Sequence, residues 1–237
     1  MVETTRETLM LVPGLLCDGA VWKAQIEELS GTFDCRVPLL DSQDSVASMA
    51  RAALAVADGV FSLVGHSMGG YVALEIMRQA PHRVRRLALL STQPRADSPE
   101  QASRRQKFFD EAQRGGFMDI IAGFPALLFH ECRLNDQSLL DAFTEMAQRV
   151  GKDVFLRQQR AIMGRIDSVA TLPAISCPTL ILCGRQDLIC PRDNSELMAA
   201  TIPNATLIVL ADCGHMAPME RPDAVNAALR NWLETSH

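Results

Sequence analysis

Short, nearly continuous apolar runs punctuate this chain at Thr8 to Val12, Phe33 to Val37, Val60 to Val64 and Val84 to Leu90, and again at Thr179 to Cys183 and Thr206 to Leu210. Between them lie stretches with helical spacing: Val21 to Leu29, Val46 to Ala57, Ser67 to Gln79, Asn194 to Thr201 and Ala224 to Leu233. Strands rich in Val, Leu and Ile without polar alternation belong in a parallel sheet covered on both faces. The expected fold class is therefore α/β, a mostly parallel sheet of about six strands with helices on both sides.

The alternation breaks once. From about Asp97 to Ser168 the sequence is helix-like, interrupted at Gly115-Gly116, Gly123-Phe124-Pro125 and Gly151. The expected organisation is an α/β core built from residues 1–95 and 170–237, with a helical insertion at 96–169. With 237 residues, 48% hydrophobic and 22% charged, such a chain can bury a sizeable core. A net charge of −5 argues against a nucleic-acid partner. The pairs Arg85-Arg86 and Arg104-Arg105 read as solvated element ends. Seven cysteines, none at C-x-x-C spacing, read as reduced and mostly buried thiols. The first apolar run stops at Pro13-Gly14, so neither a leader peptide nor a membrane span is expected, and the expected location is cytoplasmic.

Gly65-His66-Ser67-Met68-Gly69 fits G-x-S-x-G, with a strand before it and a helix after it. A serine at so sharp a corner needs small neighbours two residues away on each side, and the strain aims its hydroxyl outward. The following helix directs free N–H groups and a positive dipole end at any anion forming there. A serine N-cap or a phosphate cradle would also fit the five residues. The G-x-G-x-x-G pattern and the P-loop lysine are both absent.

A serine nucleophile needs a base. Of His66, His82, His130, His215 and His237, only His215 sits in a short loop after a late strand. His66 lies inside the turn, its side chain directed away from the hydroxyl. Asp187, after the strand at Thr179, is the preferred carboxylate to orient His215. Asp212 and Glu220 are nearer in sequence, but a residue on the same loop cannot easily reach the far ring nitrogen.

"GHSMGG", "PTLILCGRQDLICP" and "DCGHMAPMERPDAV" together resemble the α/β-hydrolase fold superfamily, whose Ser…Asp…His order they follow. The resemblance runs from Leu9 to Leu233 and places a small helical cap at the insertion. It implies a serine carboxylesterase-like enzyme, with Ser67 as nucleophile, His215 as base and Asp187 as its orienting acid. It also implies an oxyanion hole from the N–H groups of Leu15 and Met68. Pro13 stands where many relatives carry histidine, which leaves that backbone contact available. Leu16, His66, Phe124, Leu128 and Met216 are the candidate substrate contacts.

Of nine phenylalanines, Phe108, Phe109, Phe117, Phe124 and Phe129 fall in the insertion, either lining an entrance or packing as core. Arg157, Arg160 and Arg165 would pin a substrate carboxylate or else sit on the surface. Cys17 and Cys213 read as packing residues. Seven residues before Thr8 are too few for the antiparallel pair that often opens the fold, so six parallel strands are expected. The expected partner is a small-molecule substrate, with no cofactor, metal, nucleic acid or membrane; oligomeric state is not readable. Ester, lactone or thioester hydrolysis is the first expectation. Carbon–carbon hydrolysis of a dienoic ketone, cofactor-free lyase or perhydrolase chemistry, and ligand sensing are the alternatives.

Overall fold

The computed structural model describes residues 6–234. Six strands form one parallel sheet in the order β2-β1-β3-β4-β5-β6. They are β1 (Thr8–Val12), β2 (Asp34–Arg36), β3 (Phe61–His66), β4 (Val84–Leu90), β5 (Thr179–Gly184) and β6 (Ala205–Leu210). The helices are α1 (Lys23–Leu29), α2 (Val46–Leu54), α3 (Met68–Gln79), α4 (Pro99–Gln113), α5 (Phe117–Gly123), α6 (Pro125–Leu128), α7 (Gln137–Met163), α8 (Arg192–Thr201), α9 (Ala217–Glu220) and α10 (Pro222–Glu234).

Strand polarity follows from burial. Strands β3 and β5 are buried at every residue and β1 at all but its first, whereas the edge strands β2 and β6 are half-exposed. Successive side chains feed opposite faces, as the two-residue period of a strand requires. Leu9, Leu11, Ala88, Leu90, Leu180 and Leu182 enter one apolar cluster; Met10, Val12, Leu87, Leu89 and Ile181 enter the other. Helices α1 and α10 cover the first face, together with Phe117, Ile120, Phe143 and Phe155 from the insertion. Helices α2, α3 and α8 cover the second. The inserted helices therefore share an apolar core with the sheet.

Some boundaries move for local reasons. The expected helix from Val21 opens instead as a 3₁₀ turn at Gly19–Trp22, because Asp18 Oδ1 accepts from Ala20 N–H at 2.8 Å. Helix α2 stops at Leu54 rather than Ala57. Beyond it, the Val56 and Ala57 carbonyls accept from Arg36 Nη1 (2.6 Å) and Arg83 Nη2 (2.5 Å). Gly151, at φ 81°, kinks α7.

The chain runs outward from β1 to β2, then returns to place β3 on the other side of β1. Loops leaving β1 and β3 thus diverge at a switch point, the place where open α/β sheets form their crevices. Ser67 follows β3, and Gly14 and Leu15 follow β1.

Candidate active site

The turn after β3 is built around backbone clearance. Ser67 has φ 54° and ψ −117°, a strained conformation for a residue with a Cβ. Its N–H donates to Leu90 C=O at 2.9 Å, while its own C=O accepts from Gly70 N–H (2.9 Å) and Thr92 Oγ1 (2.8 Å). Strand β4 and its exit loop thus over-determine the strained residue. A Cβ on Gly69 would stand 2.1 Å from Val12 O, and one on Gly65 would stand 2.4 Å from Gly69 O. Only glycine fits at either position.

Three loops bring Ser67, His215 and Asp187 together. Ser67 Oγ lies 2.8 Å from His215 Nε2, and His215 Nδ1 lies 2.8 Å from Asp187 Oδ2. An ionised carboxylate only accepts, so Nδ1 carries the proton and Nε2 is left to accept the serine hydroxyl. Asp187 is fixed in turn: Oδ1 accepts from Ile189 N–H at 2.8 Å and Cys190 N–H at 2.9 Å. Burial acts to raise its pKa. Its electrostatic interaction with His215 and these hydrogen bonds outweigh burial and hold the carboxyl below its ordinary range.

His66, inside the turn, has a defined structural partner. It is 1% exposed, and its Nε2–H donates to the His215 carbonyl at 3.0 Å. Its Nδ1 has no partner among the described residues. Burial, and then the neighbouring His215, push its pKa down to about 3, so the ring is neutral. The two imidazoles sit 5.3 Å apart.

Glu220 does not reach the His215 ring. Its buried carboxylate instead accepts N–H bonds from Gly214 (3.1 Å), Met216 (3.0 Å) and His130 (2.8 Å). Beside it, His215 N–H donates to Leu128 C=O at 2.7 Å. The histidine loop and the segment leaving α6 are thereby tied together.

A cleft of about 710 Å³, counted to its open mouth, contains Ser67 and His215. Phe108, Phe124, Leu127, Leu128, Ile162, Ile189 and Met216 supply its apolar walls, and Gly14, Leu15, His66 and Cys17 its floor near the serine. Phe124, Leu128, Met216 and His66 line this cleft, and Leu16 does not. At φ 58° it turns into the core, fully buried, and its N–H donates to Gln158 Oε1 at 3.0 Å. Of the five phenylalanines, Phe108 and Phe124 reach the cleft. Phe117 packs on Phe155, Phe129 on Phe143, and Phe109 beneath Arg160.

The arginines are distributed differently from expectation. Arg157, Arg160 and Arg165 do not line the cleft; Arg104 and Arg105 do. Arg165 is not on the surface either: it is buried beside Asp97, over the Tyr71 ring. Arg105 is mostly buried against the same carboxylate and so is not solvated, whereas Arg104 beside it is exposed. Tyr71 and Gln159 also face the cleft, and nothing in their sequence context singled them out. Cys17 lies there as a neutral thiol, its pKa raised to about 12 by burial and then by Asp18. Among the described residues, no three His, Cys, Asp or Glu side chains converge as metal ligands. No described helix is long and apolar enough to cross a membrane.

Known proteins share this architecture. A thermophilic esterase from Thermogutta terrifontis, solved with malate bound, superposes with a TM-score of 0.88 at 33% identity, covering 97% of this chain and 90% of that one. The enol-lactonase from Burkholderia xenovorans LB400 reaches the same TM-score at 20% identity, over 98% and 94% of the chains, a likeness of fold alone. In sequence, the RutD protein of Serratia proteamaculans (strain 568), named for carbamate hydrolysis, is 31% identical over 95% of this chain and 90% of its own. The pimeloyl-[acyl-carrier protein] methyl ester esterase of Nitrosomonas europaea is 28% identical over 94% of each. Residues 41–222 match the alpha/beta hydrolase fold family, and on this match and these relatives the chain belongs to that family of enzymes.

Proposed function

We propose that the protein is a serine hydrolase cleaving carboxylic ester bonds, lactones and thioesters included, of a small and largely apolar substrate. The observation that carries this reading is the hydrogen-bonded series Ser67 Oγ, His215 Nε2, His215 Nδ1, Asp187 Oδ2, of which Ser67 and His215 line the cleft. His215 Nε2 takes the hydroxyl proton as Ser67 Oγ attacks the acyl carbon. The oxyanion is met by the N–H groups of Leu15 and Met68, the second at the positive end of α3. His215 then protonates the leaving alcohol or thiol, leaving an acyl-Ser67 ester. Water, deprotonated by the same nitrogen, releases the acid. Asp187 holds the imidazole in the required tautomer and stabilises its charged form. The inserted helices act as the cap over this site. Seven unpaired cysteines fit a reducing compartment, and the proposed location is cytoplasmic.

Ser67→Ala should lower kcat/KM on p-nitrophenyl acetate by about 10³-fold or more, since the three groups act as a unit. Retained activity rules the mechanism out. Turnover of a chromogenic dienoic ring-fission product, with none of esters or lactones, would instead favour carbon–carbon hydrolysis. Ligand-induced thermal stabilisation without any turnover would favour a sensor.

A further inference from the structure

The cleft meets a group of charges on the side of α4. Asp97, just before that helix, has 4% of its side chain exposed. Arg105 Nε donates to its Oδ2 at 2.7 Å, and Arg165 Nη2 lies 2.8 Å from its Oδ1. The Arg165 side chain is also only 4% exposed, and its guanidinium carbon stands 4.2 Å from the Tyr71 ring centroid. Two guanidinium groups thus share one carboxylate, and no other acidic side chain pairs with either among the described residues. One positive charge is left over where water is scarce. Such an excess is costly unless a counter-ion completes it.

Gln159 on α7 is an independent pointer to that counter-ion. It is 1% exposed and lines the cleft. Its Oε1 accepts from Arg105 Nη1 at 3.4 Å, whereas its amide nitrogen has no partner among the described residues. The nitrogen is not sealed off from solvent, so it stays free to donate to a ligand in the cleft. Among the described residues Arg105 Nη2 has no partner either, and Arg104 lines the same cleft without an ion pair. Planar donors from Arg105 and Gln159, beside one unbalanced charge, suit a planar monoanion with two acceptor oxygens.

We propose that the substrate carries a carboxylate remote from its scissile bond, held by Arg105 and Gln159 with Arg104 at the exposed end. This specificity assignment rests on the serine-hydrolase reading above. The apolar walls then accommodate the hydrocarbon between ester and carboxylate, so the substrate class is the half-ester of a dicarboxylic acid or an ester of a carboxylated alcohol.

The test uses pairs of esters matched in length, one neutral and one carboxylated. p-Nitrophenyl hemiesters of succinate, glutarate and adipate are set against p-nitrophenyl butyrate, valerate and hexanoate. 4-Acetoxybenzoate is set against 4-acetoxybenzamide, to place the charge on the leaving group. The readout is the ratio of kcat/KM within each pair, which does not depend on how much active enzyme a preparation holds. The wild-type protein should prefer the carboxylated member of at least one pair by about tenfold. Arg105→Met should bring that ratio toward one. Its folding is spared because Asp97 keeps Arg165, a balanced pair. Arg104→Glu, at an exposed position, should lower the ratio as well. Arg192→Ala, in a surface pair with Glu196, should leave it where it was. Equal or poorer turnover of every carboxylated ester overturns the proposal, as does a preference untouched by both cleft variants. If hydrolysis survives Ser67→Ala, the serine-hydrolase reading falls and takes this one with it; Ser67-dependent hydrolysis with no carboxylate preference overturns the subsite alone.

Discussion

Ser67 and His66 illustrate how much one residue can carry. Ser67 keeps φ 54° because Gly65 and Gly69 yield the space its turn needs. Gly69→Ala should therefore cost more than about 3 kcal/mol, since its methyl meets backbone that cannot move aside. Gly123→Ala, where a Cβ meets nothing within 4 Å, should stay within about 1 kcal/mol of wild type. Urea unfolding of both variants checks the contrast. His66 makes folding pH-sensitive. Its folded pKa of about 3 lies below the unfolded value of 6.5, so the unfolded chain binds the proton more tightly. Stability is then complete above pH 6.5 and drains away as pH falls toward 3, by an amount on the order of 3–5 kcal/mol for this group. His66→Gln, which retains a donor, should unfold with a shallower pH dependence between 6.5 and 4; parallel curves would refute the assignment. At this scale the sequence was legible where chemistry demands a residue type, as at Ser67, Asp187 and His215. It was not legible for Leu16, whose neighbour Leu15 lines the cleft while it is itself turned into the core by a positive φ.

At the scale of elements, the strand and helix order follows directly from apolar periodicity. What periodicity cannot convey is how two loops far apart in sequence are fastened. Glu220 lies five residues after His215, and no local pattern says that its carboxylate gathers three backbone N–H groups. Glu220→Gln would turn an amide N–H₂ against at least one of them. The His215 loop should then shift, lowering kcat by about tenfold or more with little change in KM, since sub-ångström misplacement of a base is costly. Steady-state kinetics beside a thermal melt separate this from simple unfolding. An unchanged kcat in a folded variant would remove Glu220 from any positioning role. Arg105 and Arg165 were illegible for a related reason. Their exposure is set by where α4 and the end of α7 meet Asp97, which helical spacing does not encode.

Over the whole molecule, residues of the insertion and of the sheet enter one apolar cluster. Phe143 and Phe155 from α7 are fully buried with Leu9, Leu11 and Val64. Unfolding should accordingly be one cooperative transition, seen alike by far-ultraviolet circular dichroism and by tryptophan fluorescence. Phe143→Ala should lower stability by about 3–5 kcal/mol without splitting it. Two separated transitions would show that the inserted helices fold on their own. The Leu128–His130 segment has a mechanical consequence of its own. It is bolted to the His215 loop through Leu128 C=O and Glu220, so any displacement of this segment would carry the imidazole away from Ser67 with it.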